Sequence, residues 1–228
     1  MKNIKKTTPA KTERKSKISS AVIHRLPRYF RYLRELLQND VPRISSSELS
    51  KRMNTTASQI RQDFNCFGEF GQQGYGYNVE YLHSQISEIL GITEHYKAII
   101  IGMGNLGRAL ARSKIFVNRG MTLTALFDVD KSLVGKKFDD IFVYDMADLE
   151  KYCEESGVDI VVLTMPRDCA VDVVKRLSKT GIKGIWNFTG AEISKSMCKK
   201  PVENVHMGDS LMTLCYKIKS AGSHKSEK

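Results

Sequence analysis

The sequence contains no uninterrupted apolar run near the roughly 20 residues that a membrane-crossing helix needs, so no membrane partner is expected. The opening "MKNIKKTTPAKTERKSK" lacks an apolar stretch, which argues against a secretory leader. Cys66, Cys153, Cys169, Cys198 and Cys215 form no C-x-x-C pair and no zinc-type spacing, so neither a metal site nor a disulfide framework is expected. These absences point to a reduced, cytoplasmic protein.

The 228 residues are 41% hydrophobic, enough for one large domain or two modest ones. The net charge of +11 suggests an anionic partner, but its distribution weakens that argument. Basic residues exceed acids by six in residues 1–18 and by three in 216–228, and by only one in each of 19–90 and 91–215. The excess therefore lies in two polar tails expected to be disordered. Such tails either raise affinity for DNA phosphates or solubilise the chain ends.

Four segments are expected: a basic tail (1–18), a helix-rich segment (19–90), a segment of alternating strands and helices (91–208) and a C-terminal helix with its tail (209–228). In "SSAVIHRLPRYFRYLRELLQND", Val22, Leu26, Tyr29, Leu33 and Leu36 recur at helical spacing and mark one buried face. Pro27 either begins the main helix or kinks a longer one. Arg25, Arg28, Arg31 and Arg34 flank that face, as a solvated side or as contacts to phosphate or another domain.

In "ISSSELSKRMNTTASQIRQDFNCFG", a helix over about 47–53 and a tight turn at 54–56 precede a second helix, with a Thr able to cap it. Ala57, Ile60, Phe64 and Phe67 share its buried face, while Ser58, Gln59, Gln62 and Asn65 look outward with Arg61 at the edge. This is the pattern of a helix-turn-helix with a recognition helix, although other helical hairpins share it. Small polar, amide and Arg side chains suit base edges and phosphates. Glycines and aromatics in "EFGQQGYGYNV" suggest a β-hairpin wing presenting Gln72, Gln73 and Tyr75 to DNA, or else an ordinary hairpin loop. Cys66 reads as a small buried residue in preference to a thiol switch beside DNA.

From Tyr96 onward, strand-like runs alternate with helices, the rhythm of a parallel α/β sheet. The runs are "KAIII", "LTALFDV", "DIFVY", "DIVVLTM" and "IKGIWNF", with helices over about 105–114, 146–156 and 168–180. In "IIIGMGNLG", Gly102, Gly104 and Gly107 form G-x-G-x-x-G between a strand and a helix, so Met103, Asn105 and Leu106 join them as cofactor contacts. The first glycine permits the tight turn, the second admits pyrophosphate and the third allows close packing. Asp128, 21 residues after Gly107, is placed to accept ribose hydroxyls and to repel a 2′-phosphate, favouring NAD(H) over NADP(H). A CoA- or nucleotide-binding relative is the alternative.

Hydride-transfer chemistry needs an acid–base group. Only His206 of the five histidines could approach the site, no Tyr is followed by Lys four residues on, and too little chain follows the sheet for a substrate domain. An enzyme is therefore not expected. In "GDSLMTLCYKIK", Leu211, Leu214, Cys215 and Ile218 form one stripe, with Asp209 as a plausible cap. That helix must dock on its own domain or on a second subunit.

Taken together, "RLPRYFRYL", "TASQIRQDF", "FGEFGQQGYGYNV", "GMGNLGRAL", "FDVD", "GIKGIWNF" and "VENVHMGDSL" closely resemble the Rex family of redox-sensing transcriptional repressors, over about residues 19–218. The resemblance implies a winged helix joined to a Rossmann-like domain, in a homodimer that swaps its C-terminal helices. It also implies binding of double-stranded operator DNA when NADH is scarce and release when NADH binds, so that the NADH/NAD+ ratio is sensed. The alternatives are a divergent DNA-binding paralogue with a weaker or different ligand response, and an NAD-dependent oxidoreductase.

An apolar pocket favours the neutral reduced nicotinamide over the cationic oxidised ring. Met165 and Pro166, and Asn187 and Phe188, at strand ends, are candidates for lining it, with strand-end packing as the alternative. The resemblance places Arg31 and Asp209 at ligand-sensitive domain contacts. The chain departs from the family at Ser113, where a Tyr is usual, at Gln62 in place of Lys, at Gln72 and Gln73 in place of a basic pair, and at Gly190 in "NFTGAEI". Fewer charges at the DNA predict weaker salt-dependent affinity.

Overall fold

The computed structural model describes residues 19–66, 71–72 and 75–223, with the side chains of 71–72 and 222–223 outside the description. The chain divides into two compact units, Met1–Gly91 and Ile92–Lys228.

In the first unit, α1 (Ser20–Gln38) begins at Ser19, whose hydroxyl accepts from the Val22 amide. The helix runs through Pro27 to Gln38, so Pro27 neither starts nor ends it. Val22, Leu26, Tyr29, Leu33 and Leu36 are all buried on both sides of the proline and hold the turns in place. The strand β1 (Arg43–Ile44) leads into α2 (Ser46–Met53), which opens with a capping box between Ser45 and Glu48. Asn54 closes α2 in the left-handed region at φ 48°, a conformation that Asn tolerates.

Thr56 caps α3 (Ala57–Asn65) by accepting from the Gln59 amide at 3.1 Å. The strands β2 (Gly71–Gln72) and β3 (Gly76–Asn78) complete a three-stranded sheet ordered β1-β3-β2. This helix–strand–helix–helix–hairpin order is a winged helix-turn-helix, closed by α4 (Val79–Ile89) packed on α1. Leu26, Tyr29, Leu33, Leu49, Ile60, Phe64, Leu82 and Ile86 form its core. Ala57 is only half-buried, Phe67 lies outside the described residues, and Asp63 is buried in their place. Cys66, expected to be buried, is exposed because the helix ends there, and its thiol donates to the Gln62 carbonyl at 3.3 Å.

The second unit is a seven-stranded sheet with helices. Its strands are β4 (Lys97–Ile101), β5 (Thr122–Asp128), β6 (Lys137–Phe138), β7 (Ile141–Asp145), β8 (Ile160–Leu163), β9 (Gly184–Asn187) and β10 (Val202–Asn204). Their order is β10-β9-β8-β4-β5-β7-β6, parallel except for β6. The helices are α5 (Asn105–Arg112), α6 (Leu149–Ser156), α7 (Arg167–Leu177) and α8 (Met207–Ser223). The central strand β4 alternates its side chains between two cores, Ile99 and Ile101 on one face and Ala98 and Ile100 on the other. Burial on both faces explains why these strands read as continuous apolar runs. Strand order reverses between β4 and β8, which is where ligands enter such sheets.

Three elements differ from the expectation. The strand β10 lies beside β9 although its three residues carry no apolar pattern, and β6 adds an antiparallel edge. The helix α8 starts at Met207, so Asp209 sits in its first turn and is not its cap. No helix among the described residues is long and apolar enough to cross a membrane.

Candidate DNA-reading surface and dinucleotide crevice

The orientation of α3 within the first unit is set by one buried carboxylate. Asp63 accepts from Arg25 through both oxygens at 2.7 Å, from the Tyr29 hydroxyl at 2.7 Å and from the Gln59 amide at 2.9 Å. Burial, the largest single influence, pushes the Asp63 carboxyl up, but the donors from Arg25, Tyr29 and Gln59 together outweigh it and hold it below its ordinary range. The Tyr29 hydroxyl is pushed up by burial and by the same carboxylate. Phe64 adds edge contacts to Tyr29 at 4.9 Å and to Tyr77 at 5.0 Å between ring centres.

With its inner face fixed, α3 presents Ser58, Arg61, Gln62 and Asn65 to solvent. Gln59 is a correction to the outward set. It lies about one helical turn from Asp63, roughly 40° away around the axis, is half-buried and spends its amide on that carboxylate. Arg61 donates to the Ser46 hydroxyl at 3.1 Å, linking the two helices of the motif. In the wing, Tyr75 is 70% exposed and its carbonyl accepts from Arg43. Gly76 has φ 69°, and a Cβ there would lie 2.8 Å from the Ile44 carbonyl oxygen. Gln72 lies in β2, while Gln73 falls outside the described residues. Of the flanking arginines, Arg25 is committed to Asp63 and Arg28 to the Met53 carbonyl, whereas Arg31 is exposed with its guanidinium 5.6 Å from the Tyr32 ring centre.

In the second unit, the glycine turn after β4 is tightly constrained. Gly102 has φ 98°, and a Cβ there would stand 2.9 Å from the Met165 nitrogen. The turn therefore packs against the segment after β8, bringing 102–107 and 164–166 together at the strand-order reversal. A Cβ on Gly107 would come within 1.9 Å of the Gly102 oxygen. Gly104, by contrast, would meet nothing within 4 Å. Of the three motif glycines, space is left open at the one that caps α5, where the first N–H groups of a helix have no intrahelical partner and can receive an anion.

The Met103 peptide is held on both sides. Its N–H donates to Asp128 Oδ2 at 2.6 Å, and its carbonyl accepts from Arg108 Nε at 2.7 Å. The other Asp128 oxygen accepts from the Asp130 amide at 2.9 Å. The Thr164 hydroxyl reaches the Ile101 and Gly102 carbonyls, bracing the turn from β8. Sequence reasoning missed Arg108 and Thr164, although Arg108 directly follows the last motif glycine.

Around the crevice, Met165 is half-buried against the core and Pro166 is exposed. Phe188 meets Trp186 at 4.6 Å between ring centres. Asn187 needs a correction of role. Its side-chain nitrogen donates to the Ala191 carbonyl and to Asn204, and its oxygen accepts from the Thr189 amide and hydroxyl. Every hydrogen-bonding site of that buried amide is used, so Asn187 shapes the loop beside Phe188 and has nothing left to offer a ligand. His206 pairs with Glu192 at 2.9 Å. Ser113 ends α5 with its hydroxyl on the Leu110 carbonyl. Among the described residues, no group of three or more His, Cys, Asp or Glu could hold a metal ion.

Residues 17–65 match the family described as putative DNA-binding protein N-terminus, and residues 93–191 match the CoA binding domain family. The chain is 51% identical over 208 residues to the redox-sensing transcriptional repressor Rex of Clostridium tetani, covering 90% of this chain and 96% of that protein. It is 52% identical over 202 residues to the Rex repressor of Clostridium botulinum strain Hall, covering 89% of this chain and 96% of that one. The chain belongs to the Rex family of redox-sensing transcriptional repressors.

Solved Rex-family structures agree in fold. The repressor RSP in complex with NAD+ and operator DNA matches with a TM-score of 0.82 at 47% identity, over 92% of this chain and 97% of that one. RSP in complex with NADH matches with a TM-score of 0.83 at 44% identity, over 93% of this chain and 100% of that one. As a Rex-family member the chain is a transcriptional regulator and not an enzyme.

Proposed function

We propose that this Rex-family protein is a cytoplasmic, homodimeric repressor that holds operator DNA until NADH fills the crevice beside its glycine turn. The observation that carries this reading is the presence, in one chain, of an outward polar face on α3 and a glycine turn left open only at Gly104. Supporting it, the similar repressor RSP has been solved with NAD+ and operator DNA and, separately, with NADH.

On this reading Ser58, Arg61, Gln62, Gln72, Gln73 and Tyr75 meet the DNA, with Arg61 supplying phosphate or guanine contact. Gln59 acts through Asp63, holding the helix that carries them. Gly102, Met103, Gly104, Asn105, Leu106 and Gly107 cradle the pyrophosphate, and Asp128 accepts from the adenosine ribose. Met165, Pro166 and Phe188 line the nicotinamide end, with Asn187 fixing the loop. Such an apolar lining discriminates on charge, because burying the cationic oxidised ring costs more than burying the neutral reduced one. A ligand shifts the DNA-binding equilibrium only by its difference in affinity for the two states. Arg31 and Asp209 are the proposed switch contacts.

The test is a fluorescence-anisotropy titration of a pseudo-palindromic operator with NAD+ and NADH added separately. Release by NADH at concentrations where NAD+ leaves the complex intact is expected. Equal behaviour with both ligands refutes the reading.

A further inference from the structure

A continuous set of hydrogen bonds leads from the loop beside Phe188 to the first turn of α8. Asn187, 1% exposed, donates to Asn204 Oδ1 at 2.8 Å. Asn204 in turn donates to Glu192 Oε1 at 3.1 Å and to the Ile193 carbonyl at 3.2 Å. The other Glu192 oxygen pairs with His206 Nε2 at 2.9 Å. His206 is the residue immediately before α8, and its carbonyl accepts from the Asp209 amide at 3.1 Å.

The loop that carries Glu192 is fastened on both sides of that residue. Ala191 and Ile193 on either side of Glu192 are buried, and Gly190 holds φ 74° with nothing within 4 Å of where a Cβ would stand. The chain thus turns at Gly190 in the left-handed region and continues into an anchored segment. The helix at the far end carries Met207, Leu211, Met212, Leu214, Tyr216 and Ile218, all more than half exposed.

We propose that Glu192 and His206 are positioning residues that couple the state of the crevice to α8. This rests on the NADH reading above and adds the route by which occupancy is transmitted. A ligand that displaces Phe188 shifts the 189–193 loop, and the Glu192–His206 pair pulls the root of α8 with it. Neither residue is among those assigned above to the ligand or to the DNA. Their removal therefore alters coupling while leaving each binding event in place, which is what a link between two sites means thermodynamically.

The experiment uses the full chain and the variants E192A, H206A and E192A/H206A. Three quantities are measured for each: operator affinity without ligand, NADH affinity from nicotinamide fluorescence, and operator affinity with saturating NADH. Both single variants should keep the first two within about twofold while the NADH-induced loss of operator affinity shrinks by about fivefold or more. The double variant should match the singles, because one link is broken in all three. A full wild-type response in either single variant overturns the proposal. So does a loss of response that comes with weakened NADH binding and a lowered melting temperature, which marks a purely structural pair. A wild-type protein indifferent to NADH refutes the underlying function instead, and the coupling with it.

Discussion

Asp63 and Arg25, 38 positions apart, meet as a two-pronged ion pair with both oxygen–nitrogen distances at 2.7 Å. The pair fastens the outward-facing helix α3 to α1, and Tyr29 and Gln59 complete the carboxylate's shell. A carboxylate only 1% exposed is tolerated because four donor contacts replace its hydration.

Removing one partner should cost more than the pair itself is worth. R25A leaves Asp63 buried with two neutral donors, and a loss of about 3 kcal/mol is expected, at the low end of the range for such breaks because Arg25 is partly exposed. Urea unfolding of the full chain measures it. The sign with pH follows from the lowered Asp63 carboxyl. Its contribution is present above the unfolded value, about 4, and is lost as pH falls through the lower folded value. D63N should be less stable at neutral pH and flatten that acid limb. An unchanged acid limb in D63N rules out this assignment.

Two glycines of one motif should respond in opposite ways. G107A drives a Cβ to 1.9 Å from the Gly102 oxygen, so the turn must open and the melting temperature fall. G104A meets no protein atom, so it should melt as wild type. Its methyl group occupies the space intended for pyrophosphate, and NADH affinity should drop at least tenfold. Calorimetry and ligand titration on the same samples separate the two effects. Wild-type NADH affinity in G104A would place the pyrophosphate elsewhere.

The elements whose signal is local were legible in the sequence. The run Lys97–Ile101 reads directly as β4, a Thr of the 54–56 turn as a helix cap, and the three glycines as a turn between strand and helix. What depended on distant partners was not. Asp63 looks like one more polar residue on α3 until Arg25 and Tyr29 arrive from α1. The strand β10 exists because β9 offers it an edge, since its own three residues show no strand pattern. Asn187 was legible as a strand-end residue, but its direction was set by Asn204, seventeen positions away, and by the turn at Thr189.

Asp128 holds both the protein and the proposed ligand, so its substitution should reveal two functions. It accepts from Met103 at 2.6 Å and from Asp130 at 2.9 Å, keeping lone pairs for ribose hydroxyls. D128A should weaken NADH by about 10- to 100-fold, the range for losing hydrogen bonds to a charged group. Operator affinity without ligand should remain within twofold, and discrimination against NADPH should shrink because the repelling charge is gone. Isothermal titration with NADH and NADPH measures both. Undiminished preference for NADH in D128A means that another group sets the selectivity.

The apolar stripe on α8 gives the sharpest test of assembly. Leu211, Leu214 and Ile218 are 61%, 51% and 64% exposed, which a lone chain has no reason to maintain. If these residues pack against a second copy, L211D/L214D places two charges inside the dimer contact and should yield a monomer by sedimentation velocity. The variant should keep its circular-dichroism spectrum, because neither side chain supports the core of its own chain. Operator affinity should then fall by a factor of about 100 or more, since two half-sites are no longer engaged by one linked particle. A variant that still sediments as a dimer assigns the stripe to some other contact.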